Sequence, residues 1–321
     1  MTEPLVSIIM NGYNASAFVA GAIQSVLDQT YENWEIIFWD NCSEDATPDI
    51  VQKFQDPRIR YFRAKSFTPL GLARNHAIEL AQGEFIAFLD CDDVWFADKL
   101  KLQIPLFQDE KIGLVYSDTI FFNDLGHERP LYGGHLPCKG GCFRHLLGDY
   151  FLSMETVVIR KKALEQETLY FDPRFNMIEE ADLFRRIAYR WNIAGIQKPL
   201  AKWRVHASSW TFKFPHLLRE ETELMIKDYQ GRILDFDTTY AVELARLREG
   251  ISVWEARNEW INGNKWPLVY CFFKSKKFLR KILALLIIIW PASKAVQAIR
   301  LRGNILPASF FSKEKIKRSA G

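Results

Sequence analysis

Apolar and aromatic residues gather in short runs along the first part of the chain, at residues 5–10, 34–39, 59–62 and 85–89. Runs of that length with little alternation predict strands covered on both faces. The intervals at about 17–29, 48–54 and 72–81 carry apolar positions at helical spacing, with Ser16 as a cap for the first and Gly83 as a stop for the third. Strands alternating with helices in this way predict an α/β fold, a mainly parallel sheet with helices on both faces. Further strands are expected over 113–122 (runs 113–117 and 119–122) and at 154–160, then in two pieces at 193–196 and 199–205. A helix should follow the acidic cluster at 179–182, where Leu183, Ile187, Ala188 and Trp191 share one face. From about residue 216 the pattern is helical only, at 217–230, 239–250 and around 254–260.

Charge divides the chain. Residues 274–321 hold 12 basic side chains and one acidic, whereas the preceding 273 residues hold 30 basic and 38 acidic. A basic tail on an acidic body implies an anionic partner for the tail. Nine apolar residues, 282–290, interrupt the tail; a bilayer span needs roughly 20. Lysines and arginines on both sides of that run, with Trp266 and Trp290 nearby, suit the anionic surface of a membrane better than nucleic acid. A helix packed on the rest of the chain or on a second copy is the competing reading, so an oligomer stays open. The five cysteines are an odd number and no secretory signal precedes the first strand, which predicts reduced thiols and a cytoplasmic location. His135, Cys138, Cys142 and His145 are too tightly spaced for an ordinary zinc site.

The chemistry concentrates at Asp90-Cys91-Asp92-Asp93, directly after the fourth strand. Ligands of open α/β sheets bind outside the carboxyl ends of the strands. Alternate carboxylates there can chelate a hard divalent cation, which in turn neutralises a diphosphate. The first strand-to-helix turn, Asn11-Gly12-Tyr13-Asn14, has a single glycine, which excludes the dinucleotide fingerprint; no Gly-Lys-Ser/Thr loop follows either.

Read together, Val6-Ser7-Ile8-Ile9, Tyr13-Asn14, Gln29-Thr30-Tyr31, Trp34-Glu35-Ile36-Ile37, Asp40 to Asp45, Gly71 to Asn75 and Leu89 to Asp93 resemble a family 2 glycosyltransferase. The resemblance is continuous over about the first hundred residues and returns in patches to about Thr211. It implies a GT-A fold over 1–213, with a nucleotide-sugar half at 1–110 and an acceptor half at 111–213; past it, the charge and apolar pattern read above give a helical, basic region at 214–321 with a membrane-surface segment near 274–302. The resemblance also implies inverting, metal-dependent transfer from a nucleotide-sugar, with UDP the common donor, to a saccharide or lipid-linked saccharide acceptor in surface-polysaccharide or lipooligosaccharide assembly. The enzyme would work at the inner face of the cell membrane.

By position in the family's motifs, Tyr13, Asp40, Arg74, Asp90 and Asp92 are the donor-binding residues. Asp92 and His206, with Asp90, would hold Mg²⁺ or Mn²⁺. Glu180 stands where the family more often has a catalytic Asp, with Asp182 and Glu179 as fallbacks. Lys213 would sit in a loop closing over the donor. Each residue has a plainer reading. Asp40 can cap a turn, Arg74 can pair with Glu79, His206 can be structural, and all three acids suit a helix N-terminus. Two other functions stay open. A nucleotidyltransferase would ordinarily carry a glycine-rich basic loop after the first strand. A catalytically silent membrane-associated scaffold would explain a Glu at position 180.

Overall fold

The computed structural model describes residues 3–123, 125–205, 217–261 and 263–274, with positions 280, 285 and 287. His206 and Lys213 lie outside the described residues. The chain divides into two compact units, Met1–Phe121 with Pro130–Arg204, and Phe122–Arg129 with Val205–Gly321.

The first unit is built on one twisted sheet. Its opening elements are β1 (Val6–Gly12), α1 (Val19–Leu27), β2 (Trp34–Asp40), α2 (Thr47–Gln52), β3 (Ile59–Arg63), α3 (Leu70–Glu79) and β4 (Phe85–Phe88). Next along the chain come β5 (Val94–Trp95), α4 (Lys99–Gln103), β6 (Ile112–Phe122), β7 (Glu128–Pro130), whose Glu128 and Arg129 belong to the second unit, and α5 (Phe143–Gly148). The unit ends with β8 (Val158–Arg160), α6 (Lys161–Glu165), α7 (Glu179–Arg190) and β9 (Asn192–Arg204). The strand order is β3-β2-β1-β4-β8-β6-β9-β5, with β7 off this path. β3, β2, β1 and β4 are parallel, while β8 runs antiparallel to both β4 and β6, and β5 to β9. The core on one face joins Ile8, Met10, Ile36, Phe38 and Ala87 of the strands to Val19, Ile23 and Val26 of α1.

The sequence pattern places the early strands well and misses several details. The strand expected over 113–122 is β6, while the two pieces expected at 193–205 are one strand, β9. Met154–Thr156 is a 3₁₀ turn, so only 158–160 joins the sheet in that stretch. Ser16 does not cap α1; its backbone N–H donates to Asp45 Oδ2 at 3.0 Å instead.

Where α3 turns into β4, Gly83 lies against the start of β1. Its N–H donates to Ser7 Oγ at 2.7 Å, and a Cβ there would come within 2.6 Å of Ser7 N and 2.7 Å of Leu5 O. Both neighbours are backbone, so one strand would have to move. Gly83→Ala is expected to cost about 1–3 kcal/mol, the usual range for overpacking. A thermal melt should register this as a drop of several degrees; an unchanged melting temperature would show that the start of β1 yields freely.

The second unit contains α8 (Leu217–Arg232), α9 (Phe236–Thr239), α10 (Ala241–Ile261) and α11 (Trp266–Lys274). The helices expected at 239–250 and 254–260 are thus largely one, α10. Arg219–Glu255 at 2.6 Å and Arg248–Glu223 at 2.9 Å tie α8 to α10. Met225, Ile226, Leu244, Ile251, Leu268 and Phe272 are buried. No described helix is long and apolar enough to cross a membrane.

Candidate active site

The carboxyl end of β4 carries the acidic turn. The Asp93 N–H donates to Asp90 O at 3.1 Å, and buried Cys91 points its thiol at Asn11 O, 3.2 Å away. β9 holds the turn from the other side. The Arg204 N–H donates to Asp93 Oδ1 at 2.9 Å and its Nε to Asp92 O at 3.1 Å. Asp93 is therefore an interior structural group. Burial, then the neighbouring carboxylates of Asp92, Glu155 and Asp90, push its carboxyl well above the usual range. Asp90 and Asp92 remain partly open to solvent.

Arg74, from α3, ties this turn to α7. Its guanidinium is buried and donates to Asp90 at 3.0 and 3.3 Å and to Glu179 at 2.8 Å. The partner is thus not Glu79, and the pairing spans 105 residues of sequence. The first turn of α7 carries Glu179, Glu180 and Asp182, where the helix dipole favours negative charge. Their surroundings separate them. Glu179 is held by Arg74. Asp182 accepts from Arg186 Nε at 2.9 Å, and Arg186 also reaches Glu167 and the carbonyls of Leu169 and Tyr170. Glu180 meets no arginine in the described contacts; it accepts a long hydrogen bond, 3.4 Å, from Tyr150 OH. Burial raises its carboxyl to about 8, with Glu179 and Asp90 adding to the effect and Arg74 opposing it. A carboxyl with that affinity can take up and hold a proton near neutral pH.

At the other end, Asp40 closes β2 and is fully buried. It accepts from Ser43 N–H at 2.7 Å, Tyr61 OH at 2.6 Å and Arg63 at 3.3 Å. Tyr13 follows β1 and stands half exposed, edge-on to Phe67 with ring centroids 4.8 Å apart. Asn41 braces the Phe67 loop by bonds to Thr68 O, N and Oγ1.

Two residues that sequence reasoning passed over belong to this region. Tyr150 lies in a stretch without periodicity, and Glu155 sits inside an apolar run that reads as a strand. Glu155 is buried, accepts Ser153 Oγ at 2.7 and 2.8 Å, and has its carboxyl raised by burial. The expectation of reduced thiols is corrected here. Cys138 and Cys142 form a disulfide, their Cα atoms 5.9 Å apart, because the 138–142 turn folds back on itself while Gly140 bridges to Ile193. Cys42, Cys91 and Cys271 are free.

No set of three or more His, Cys, Asp or Glu side chains able to hold a metal ion occurs among the described residues. Mg²⁺ ordinarily takes only one or two protein carboxylates and completes its shell with water and phosphate oxygens. The partly open Asp90 and Asp92 supply hard oxygen donors of that kind, so the residues present fit such an ion.

A profile for Glycosyl transferase family 2 matches residues 7–168. The chain is 42% identical over 124 residues to the UDP-Glc:alpha-D-GlcNAc-diphosphoundecaprenol beta-1,3-glucosyltransferase WfgD of Escherichia coli, a match covering 39% of this chain and 49% of that one. It is 39% identical over 117 residues to the putative teichuronic acid biosynthesis glycosyltransferase TuaG of Bacillus subtilis, covering 36% and 46%. These matches span about half the length of the relatives. In fold, the chain resembles the mannosyltransferase PcManGT from Pyrobaculum calidifontis, solved with GDP-Man and Mn²⁺, with a TM-score of 0.60 at 16% identity over 100% of this chain and 87% of that one. The GT-A architecture expected from the sequence is therefore the one observed. With its profile running from β1 past α6 and taking in Asp40, Arg74 and the Asp90–Asp93 turn, the chain belongs to glycosyl transferase family 2.

Proposed function

We propose that the protein transfers a sugar, with inversion, from a nucleoside-diphosphate sugar to a saccharide or lipid-linked saccharide in the assembly of a cell-surface polysaccharide. UDP is the expected nucleotide. The names of WfgD and TuaG support the donor, the lipid-linked acceptor and the surface polymer. The observation that carries the reading is Glu180, the acidic residue of the α7 first turn for which no arginine partner is described, joined to the Asp90 turn through Glu179 and Arg74.

In this reading Glu180 takes the proton of the acceptor hydroxyl. That oxygen attacks the anomeric carbon opposite the diphosphate. The anomeric C–O bond to the diphosphate breaks, and the nucleoside diphosphate leaves. Mg²⁺ or Mn²⁺, held by Asp92 with Asp90 and His206, would offset the charge developing on the leaving group. Arg74 sets the distance between the donor end and α7. Tyr13 packs on the nucleobase beside Asp40. The basic C-terminal region keeps the enzyme at the inner face of the cell membrane, near a lipid-linked acceptor.

A thermal-shift panel with UDP, GDP, dTDP and CMP, each with and without Mn²⁺, tests the donor site. A ligand present at 100 times its Kd stabilises the native state by about 2.7 kcal/mol. UDP with Mn²⁺ should raise the melting temperature by several degrees, and Asp92→Asn should abolish the metal-dependent part. A response to CMP alone would remove the diphosphate argument, and no response to any nucleotide would favour a silent scaffold.

A further inference from the structure

One face of α11 has no described partner in its own unit. Leu268, Val269 and Phe272 are buried on the inner side, where Cys271 reaches Ser252 O of α10. Trp266, Tyr270 and Phe273 are 61%, 59% and 43% exposed. Their spacing of four and three residues lines them up along one stripe. Lysines flank the stripe. Lys265 Nζ lies 5.8 Å from the Trp266 ring, and Lys274 Nζ lies 4.6 Å from the Tyr270 ring. Large aromatic rings exposed on one helix face usually mark a binding surface. Trp and Tyr are the side chains enriched at the headgroup level of membranes, and lysine supplies the attraction to anionic lipid.

We infer that the Trp266–Tyr270–Phe273 face of α11 inserts into the headgroup region of an anionic phospholipid bilayer. The inference rests on the membrane reading above and assigns the contact to a helix that precedes most of the basic tail. Charge complementarity selects the occupant. Against one acidic residue in the tail stand the twelve basic residues of 274–321, Lys274 among them, with Lys265 just before them, which suits an anionic surface. The basic tail brings the protein to the surface by long-range attraction, and the aromatic face holds it there by apolar burial, two contributions that differ in their salt dependence.

Flotation of the full chain with phosphatidylcholine vesicles, and with vesicles containing about one-third phosphatidylglycerol, tests both ideas separately. The wild type should float with the anionic vesicles. Trp266→Ser/Tyr270→Ser/Phe273→Ser should lower the bound fraction at least tenfold at physiological salt. Failure of the wild type to float overturns the membrane reading itself. Equal flotation of wild type and triple variant leaves that reading standing and overturns the assignment to α11. Trp266→Phe keeps an aromatic ring and guards against a folding defect in the triple variant. Brominated acyl chains should quench the wild type measurably more than Trp266→Phe. Equal quenching means that the face is covered by residues 275–321 or by a second copy, and the inference fails. A dimer by light scattering that becomes a monomer in the triple variant, with vesicle binding unchanged, overturns it as well.

Discussion

Glu180→Gln is expected to lower the transfer rate by about a thousandfold and, at the same time, to raise the melting temperature. The first effect follows from loss of the proposed proton acceptor, since a positioned general base contributes about 10²–10⁴ in rate. The second follows from the environment that gives the base its strength. Burial, Glu179 and Asp90 lift the carboxyl from 4.5 to about 8, although Arg74 opposes them. A carboxyl raised in the folded state is harmless below its unfolded pKa, where both states are protonated. Its penalty grows as pH rises and is complete above the folded value. Gln carries no such penalty. The stability gain should therefore be absent near pH 4 and reach roughly 1–3 kcal/mol above pH 8, after discounting for the partial exposure of the side chain. Wild-type activity, followed as release of the nucleoside diphosphate, should climb with pH through the same range as the base ionises. A variant that keeps full turnover removes Glu180 from the reaction. A variant that loses turnover without any pH-dependent gain in stability would mean that its carboxyl is already ionised at neutral pH.

The parallel half of the sheet is readable from the chain because its information is local. Interior strands such as Ile8–Met10 and Ile36–Phe38 are apolar on both faces, so a run of a few residues identifies them without reference to partners. Asp40 and the Asp90 turn are readable for a related reason: they end such runs, and strand ends are where an α/β sheet binds ligands. The errors arise where the decisive contacts are distant in sequence. Pro199 makes β9 look broken, because proline cannot donate to a ladder, yet the strand continues through it. Glu155 looks like one polar position in a strand, and its partners Ser153 and Thr119 are invisible without the fold. The Cys138–Cys142 bridge contradicts a default drawn from composition alone. The site behaves similarly. That Glu179, Glu180 and Asp182 lie on one helix turn could be read from their spacing. That arginines hold the first and third could not, because Arg74 and the backbone carbonyls fixing Arg186 come from other segments.

Arg74 illustrates how much of the site's stability depends on one such distant contact. Arg74→Met is expected to destabilise the protein by about 3–5 kcal/mol at pH 8, because it leaves a buried carboxylate without its counter-charge. Two carboxylates lose the same partner, but not equally. Asp90 is 38% exposed at its side chain and can turn to water, whereas Glu179 is 8% exposed and cannot. Burial already raises the Glu179 carboxyl, and Arg74 is the main opposing influence. Without it the folded-state pKa rises further, so the destabilisation should shrink as pH falls and Glu179 takes up a proton, and should grow as pH rises. Adding Glu179→Gln to Arg74→Met should restore most of the stability at pH 8, because the two residues share one interaction and their effects are not additive. If the proposed donor site is the one formed at Asp90 and Asp92, donor binding should not return with it, since Asp90 would still lack the Arg74 contact. Urea melts of the wild type, both single variants and the double variant at pH 5.5 and 8 measure the coupling, and a UDP titration of the double variant measures the rest. Equal midpoints for Arg74→Met and wild type at pH 8 would show that the bridge contributes nothing net. Recovery of both stability and UDP binding in the double variant would reduce Arg74 to a neutraliser of Glu179 with no part in the donor site.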